Sequence, residues 1–275
     1  MTLKRYPLSK KVWSMIKALL IALVMTAGAT QSLPAWAQSK AMDAAYKQYD
    51  ELESQGKYAE AIPHAKQEFG EAHHNYALGL NNLAELYRNQ GNHAEPEPLY
   101  KRALAIWEKA LGPEHLWVAT VLNNLALLYE GQGRNAETKP LYKRALAIYE
   151  KALGPEHLWV ATALNNLASL YGNQGRYAEA EPLYRRSLAI HEKALDLEHS
   201  DLAITLNNLA VLYRQQGRYA EAEPLLKRAL VIDEKALGPE HPSVAITVGN
   251  LAGLYDDQGR YIEAEPLYKR SLAIL

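Results

Sequence analysis

The sequence predicts an all-α fold, a right-handed superhelical solenoid built from about six antiparallel helix hairpins. Three observations predict it: a 42-residue period, two apolar stripes of helical spacing within each period, and a glycine that closes each stripe. The period comes first, because self-similarity fixes the architecture. Asn82, Asn124, Asn166, Asn208 and Asn250 fall 42 residues apart, and Gly91, Gly133, Gly175, Gly217 and Gly259 keep the same interval. So do Pro98, Pro140, Pro182, Pro224 and Pro266.

Within one period, Leu164 to Leu195, the apolar residues Leu164, Leu167, Ala168 and Tyr171 sit at i, i+3, i+4 and i+7. That is one stripe of a first helix. Gly175 ends it, since glycine takes the left-handed backbone that closes a helix. A second stripe follows at Ala180, Leu183, Tyr184, Leu188 and Ile190, with Pro182 expected in the first turn of the second helix. Leu153-Gly154-Pro155 and its counterparts are strong stops. A single hairpin cannot bury both stripes; stacking neighbours does so.

The repeat resembles the tetratricopeptide repeat, in its longer kinesin-light-chain-like variety. The resemblance rests on Leu164, Leu167, Ala168 and Tyr171, on Ala180, Tyr184 and Ser187, and on the phrases NNLA, QGRYAEAEPLY and LGPEH. It covers roughly residues 41 to 275, with units at about 41–70, 76–112, 117–154, 159–196, 201–238 and 243–275. The ends depart from the pattern. The second helix of the first unit is two turns short, which suits an N-terminal cap. The last unit stops at Ile274-Leu275 with no polar cap, which leaves open self-association through that end or a longer parent protein.

Residues 1–37 read as an address. Lys4, Arg5, Lys10, Lys11 and Lys17 precede or enter a short apolar run, Ala18 to Ala29, which leads to Ala35-Trp36-Ala37. These are the parts of a secretory signal peptide, with cleavage expected after Ala37. The run is shorter than the ~20 residues a spanning helix needs; the competing reading is a retained anchor beginning at Val12. The expected location is periplasmic or secreted, with no stable membrane insertion after cleavage. The repeat domain, 38–275, holds 25 basic and 31 acidic residues. That mild acidity argues against a nucleic-acid partner, which requires a basic face. The absence of Cys excludes disulfides and thiolate zinc sites.

The recurring asparagine pairs are the leading candidate site, because Asn is a poor helix former and five helices keep it. The resemblance implies that first helices line a concave groove, and that Asn82, Asn124, Asn166, Asn208 and Asn250 match the position whose amide bonds the backbone of a bound peptide. An amide donates and accepts at once, so it satisfies an extended strand without demanding a sequence. The alternative is that the amides bridge neighbouring hairpins. Helical spacing then places Glu85, Leu127, Ser169, Val211 and Gly253 one turn on. Two turns on lie Asn89, Gly131, Asn173, Gln215 and Asp257, with Arg88 and Arg214 adjacent.

Three further sets have plainer readings. His73, His115, His157, His199 and His241 recur with the period, but helix spacing holds them about 10 Å or more apart, too far to share a metal at ~2 Å. They read as parts of the turn that starts each first helix. Trp117 and Trp159 either mark a binding patch or fill gaps between helices, the commoner role. The pairs Lys101-Arg102, Lys143-Arg144, Arg185-Arg186, Lys227-Arg228 and Lys269-Arg270 mostly have a Glu four residues earlier and read as a solvated stripe. No nucleophile elbow, phosphate loop or metal-binding His pair is present in the sequence. The expectation is a non-enzymatic scaffold without a cofactor that binds a protein or peptide. The alternatives are a self-assembling repeat protein or the repeat fragment of a larger multidomain one.

Overall fold

The computed structural model of the chain describes residue 51 and residues 70–92, 94–194 and 199–275. The export segment, its cleavage point after Ala37 and almost all of the first unit lie outside the described residues. Among those described there are ten helices and no strand. They are α1 (His74–Asn89), α2 (Pro96–Leu111), α3 (Leu116–Gly131), α4 (Asn135–Leu153) and α5 (Leu158–Asn173), then α6 (Tyr177–Ala194), α7 (Ser200–Gln215), α8 (Tyr219–Leu237), α9 (Pro242–Asp257) and α10 (Tyr261–Ile274). The chain divides into two compact units, Met1–Ile106 and Trp107–Leu275. The first contains α1 and most of α2.

The second unit is a stack of four hairpins, α3/α4, α5/α6, α7/α8 and α9/α10. Each first helix packs on the second helix of its own hairpin, and α5, α7 and α9 also pack on the second helix of the hairpin before. Each also touches the first helices beside it. The stripes read from sequence form the interior: Leu164, Leu167, Ala168, Tyr171, Ala180, Tyr184 and Ile190 are all buried. One apolar cluster runs from Ala126 on α3 to Ala264 on α10, so the core is shared between hairpins, not enclosed by any one of them.

Gly175 adopts φ 71°, and behind it the N–H of Arg176 bonds the carbonyl of Tyr171 at 2.9 Å, closing α5 with a left-handed cap. Gly154 ends α4 at φ 87°, ψ 159°, a conformation essentially confined to glycine. Pro182 departs from expectation: α6 begins at Tyr177, which places the proline in the second turn. It is tolerated because Pro182 and Ala178, whose carbonyl loses its helical donor, are both exposed to water.

The arginine of each QGR phrase ties the hairpin together. Arg134, Arg176, Arg218 and Arg260 lie over the rings of Tyr129, Tyr171, Tyr213 and Tyr255, at 3.7, 4.5, 4.1 and 3.9 Å from the centroids. Each also forks onto the Glu three residues later, at Glu137, Glu179, Glu221 and Glu263. Two of them reach back one hairpin as well, Arg218 to Glu181 at 2.7 Å and Arg260 to Glu223 at 2.8 Å. At the equivalent place in α4 the sequence has Lys139, which sits 5.3 Å from the Tyr171 ring centroid. The bridge to Arg176 is therefore missing at this one joint.

Lys139→Glu restores the repeat's own residue and should form that bridge. The expected gain is about 0.5 kcal/mol, typical of an exposed ion pair. It should appear as a raised urea midpoint at low salt that fades near 1 M NaCl, where the Debye length is only about 3 Å. An unchanged or lowered midpoint at low salt would show that Lys139 is better served by Tyr171.

Candidate partner-binding surface

The asparagine pairs lie in the middle of the first helices, and both members belong to one bridge. Asn166 Nδ2 on α5 donates to Asn123 Oδ1 on α3 at 2.8 Å. Asn208 on α7 donates to Asn165 on α5 at 3.2 Å, and Asn250 on α9 to Asn207 on α7 at 2.9 Å. The second Asn of one hairpin thus donates to the first Asn of the hairpin before. The poor helix former is kept because its amide spans the gap between parallel neighbours. Asn166 has no exposed surface, and its Oδ1 is buried without a partner. Asn208 is buried, whereas Asn82, Asn124 and Asn250 are half-buried. In the first unit, Asn81 donates to Asn82 at 3.2 Å. The row of acceptors stops at Gly249, where a Cβ would approach Ser271 Oγ to 3.2 Å.

The positions one and two turns on are more open. Asn89, Asn173 and Gln215 are exposed, and Glu85 and Ser169 half-buried. Glu85 lies 3.9 Å from Arg88. Ser169 and Asn173 both reach across to Glu130 on α3, at 3.4 and 3.2 Å, and Tyr142 donates to the same carboxylate at 2.7 Å. The Ser169 and Asn173 contacts cross the joint that lacks the Lys139 bridge, while the Tyr142 contact stays within its own hairpin. Arg214 spans α7 to α9 over Gly253, where a Cβ would fall 2.5 Å from its guanidinium, and its Nε donates to Asp257 at 2.6 Å. Gly253 thus leaves the space that this guanidinium occupies.

The histidines cap helices. His73, His115, His157, His199 and His241 precede α1, α3, α5, α7 and α9, and each Nδ1 accepts the backbone N–H two residues on, at 3.1–3.2 Å. Capping requires an unprotonated Nδ1, and partial burial holds His73, His115 and His157 below the usual imidazole value. Among the described residues no cluster of three metal-ligating side chains occurs. Trp117 stacks on Trp107 at 5.4 Å, and Trp159 meets Tyr149 edge-on at 5.6 Å, so both fill space between helices.

The basic pairs stay on a solvated face, as their spacing suggested, but divide their labour. Their first members do pair along the helix, as in Lys101–Glu97, Arg185–Glu181, Lys227–Glu223 and Lys269–Glu265 at 2.6–2.8 Å. The second members cross to the previous second helix: Arg144–Glu108, Arg186–Glu150, Arg228–Glu192 and Arg270–Glu234, at 2.6–2.7 Å. Sequence reasoning also missed the QGR arginines; the signal was there in the constant Glu three residues after each Arg.

Comparison with known proteins agrees with this geometry. The family model described as tetratricopeptide repeat matches residues 75–150, 122–193 and 201–275. The chain belongs to the tetratricopeptide-repeat family. Among solved structures it resembles a Podosopora anserina putative kinesin light chain with nearly identical TPR-like repeats. The identity is 31%, with 74% of this chain and 96% of that one covered and a TM-score of 0.60. A single-substitution form of that protein matches at 31% identity over 72% and 93% of the two chains, also with a TM-score of 0.60. BtubC (BKLC) from P. vanneervenii shares the fold, with a TM-score of 0.63 at 23% identity over 86% and 91%. No curated protein sequence matches the chain. Tetratricopeptide repeats are protein-interaction modules and typically non-catalytic, and kinesin-light-chain-like repeats are the variety seen here.

Asn166→Ala removes a buried amide and strands Asn123. The unfolding midpoint should fall by the equivalent of about 1–3 kcal/mol, whereas Asn173→Ala, at the exposed position, should cost no more than about 0.5 kcal/mol. Chemical denaturation of both variants measures this. Equal effects would mean the bridge contributes nothing beyond its exposed neighbours.

Proposed function

We propose that the protein is an exported scaffold that binds an extended peptide or a partner domain along the row of first helices. The single observation supporting this is the division of labour on those helices. The asparagine bridges keep one geometry from hairpin to hairpin. The side chains beside them, Glu85, Ser169, Asn89, Asn173 and Gln215, differ between copies and stand open or half-open to solvent. In this reading Asn166, Asn208 and Asn250 set the spacing of the surface in the second unit, and Asn82 and Asn124 hold the equivalent position on their own helices. Those reached by solvent add amide contacts to the ligand backbone, and selectivity comes from the variable neighbours. The export part of the proposal rests on the basic stretch, short apolar run and Ala35-Trp36-Ala37 sequence at the N-terminus. Among the described residues no helix is long and apolar enough to cross a membrane.

Photo-crosslinking groups at positions 173 and 215 should capture the same partner in the cell, from a chain whose N-terminus reads from Gln38. The same group at Val231, exposed on a second helix, should not. Capture only from 231 would move the partner to the other face; an N-terminus at Met1 would end cleavage after Ala37, and recovery of that chain from the cytosol would end the export proposal.

A second reading, self-assembly, is favoured by α10. Tyr261 and Leu272 are exposed there, whereas Tyr177, Tyr219, Leu188 and Leu230 at the equivalent positions pack against the core. Sedimentation velocity should then show mass rising with concentration between about 1 and 100 μM. Strict monomer throughout that range would remove this reading.

A further inference from the structure

One position of the second helix was passed over by the repeat pattern because it never keeps the same residue. It is Trp107, Tyr149, His191 and Asp233 in successive copies, each 42 residues from the last. The position on the following first helix that faces it in the last two copies is occupied, in the same order, by Val121, Ala163, Thr205 and Thr247. The aromatics find other partners, Trp107 on Trp117 and Tyr149 on Trp159 and the Thr120 hydroxyl, whereas the two ionisable residues meet the hydroxyls of Thr205 and Thr247.

Both ionisable groups are held inside the joints. His191, in the last turn of α6, is 3% exposed, and its Nδ1 lies 3.0 Å from Thr205 Oγ1 on α7. The Thr205 hydroxyl also lies 3.2 Å from the carbonyl of Asp201; with its hydrogen directed there, Nδ1–H donates to Thr205 and Nε2 keeps a bare lone pair. That Nε2 is buried with no partner. Protonation would put a charge and an unmatched N–H into the joint. Asp233 on α8 is 4% exposed and accepts from Thr247 Oγ1 on α9 at 2.8 Å, while its Oδ1 is buried with no partner. Ionisation would leave a full carboxylate charge on one hydrogen bond.

We propose that these two successive joints form an opposed acid-response pair: acidification loosens the α6/α7 joint at His191 and tightens the α8/α9 joint at Asp233. Burial is the leading cause in both cases, and it disfavours the charged form of each. It lowers His191 below the usual imidazole value, with Asp201 opposing and His199 assisting. It raises Asp233 to about 6, opposed by the Thr247 hydrogen bond.

The other groups around the pair are few. From α5, against which α6 packs, His191 meets no charge; Tyr171 is the sole titratable residue of that helix. On α7, Tyr213 and Arg214 lie in the last turn, about 12 Å along the helix from Thr205 at 1.5 Å per residue. Asp233 is flanked by α7, with Asp201, Tyr213 and Arg214, and by α9, with the cap His241 and with Tyr255, Asp256 and Asp257 in its last turn. On their own helices, Glu192 and Glu234 are neutralised by Arg228 and Arg270.

The signs follow from linkage. The His191 contribution is complete above the free imidazole value of 6.5 and is lost as pH falls through the lower folded value. The Asp233 contribution is complete below the free value of 3.8 and is lost as pH rises through about 6. Between pH 7.5 and pH 5 the opening equilibrium at Asp233 should change by about tenfold, as a folded value of about 6 against a free value of 3.8 requires.

Hydrogen exchange of the intact chain at pH 7.5 and pH 5, corrected for intrinsic rates, tests the pair. Protection in segments around His191 and Thr205 should fall at pH 5, while protection around Asp233 and Thr247 should rise. His191→Tyr, the side chain found at position 149, should abolish the first change, and Asp233→Asn the second. Movement of both joints in the same direction, or variants that keep the wild-type pH dependence, would overturn the proposal. Since the wild-type measurement stands alone, a variant that fails to fold leaves that test intact.

Discussion

Everything in the second unit depends on the joint between one hairpin and the next. A hairpin of this composition has two apolar stripes and can cover only one by folding back on itself. The shared cluster from Ala126 to Ala264 is the result. Apolar contact alone is non-directional and would let neighbouring hairpins slide past each other. The polar bridges supply the register: an amide pair between first helices, an arginine-to-glutamate pair between second helices, and, at two joints, an arginine that reaches from a first-helix tyrosine back to the preceding hairpin. Most are half-exposed ion pairs of small individual worth. Their value lies in recurring at fixed intervals.

The joints are alike in plan and different in detail. Where Lys139 removes one bridge, Glu130 gathers Tyr142, Ser169 and Asn173 instead. Where Gly253 gives up its side chain, Arg214 crosses the vacated backbone to Asp257. Trp107, Tyr149, His191 and Asp233 give four joints four different fillings. Joints that differ in filling can differ in stiffness, while the apolar cluster runs through them unbroken.

The fold was largely legible in the sequence because period and stripe are one-dimensional facts: Leu164, Leu167, Ala168 and Tyr171 all point inward as their spacing required. The start of the second helix was misplaced because proline marks a first turn by statistics, and here Ala178 and Pro182 are simply solvated. The candidate surface was legible only in part. Contact with a ligand and bridging between hairpins both fit the same asparagine spacing, and only the 2.8 Å approach of Asn166 to Asn123 reveals the bridge. The Arg186–Glu150 type of contact was hidden for a similar reason: its partners are 36 residues apart, and a nearer glutamate offered a sufficient explanation. The opposed pair at His191 and Asp233 was hidden because recurrence marks constant columns, and this column holds a different residue in each copy.

The asparagine bridge also has a direction. The α5/α6 and α7/α8 hairpins each carry one donor facing backward and one acceptor facing forward, so each holds half of two rungs. Removing or duplicating a whole hairpin would therefore rejoin matching halves, while any other change of length would leave an amide stranded. Genetic change in such a chain is quantised: it can lengthen or shorten by single periods with the hydrogen bonding conserved. The acceptor column ending at Gly249 is the one register from which a further copy could not be spliced without first restoring an asparagine.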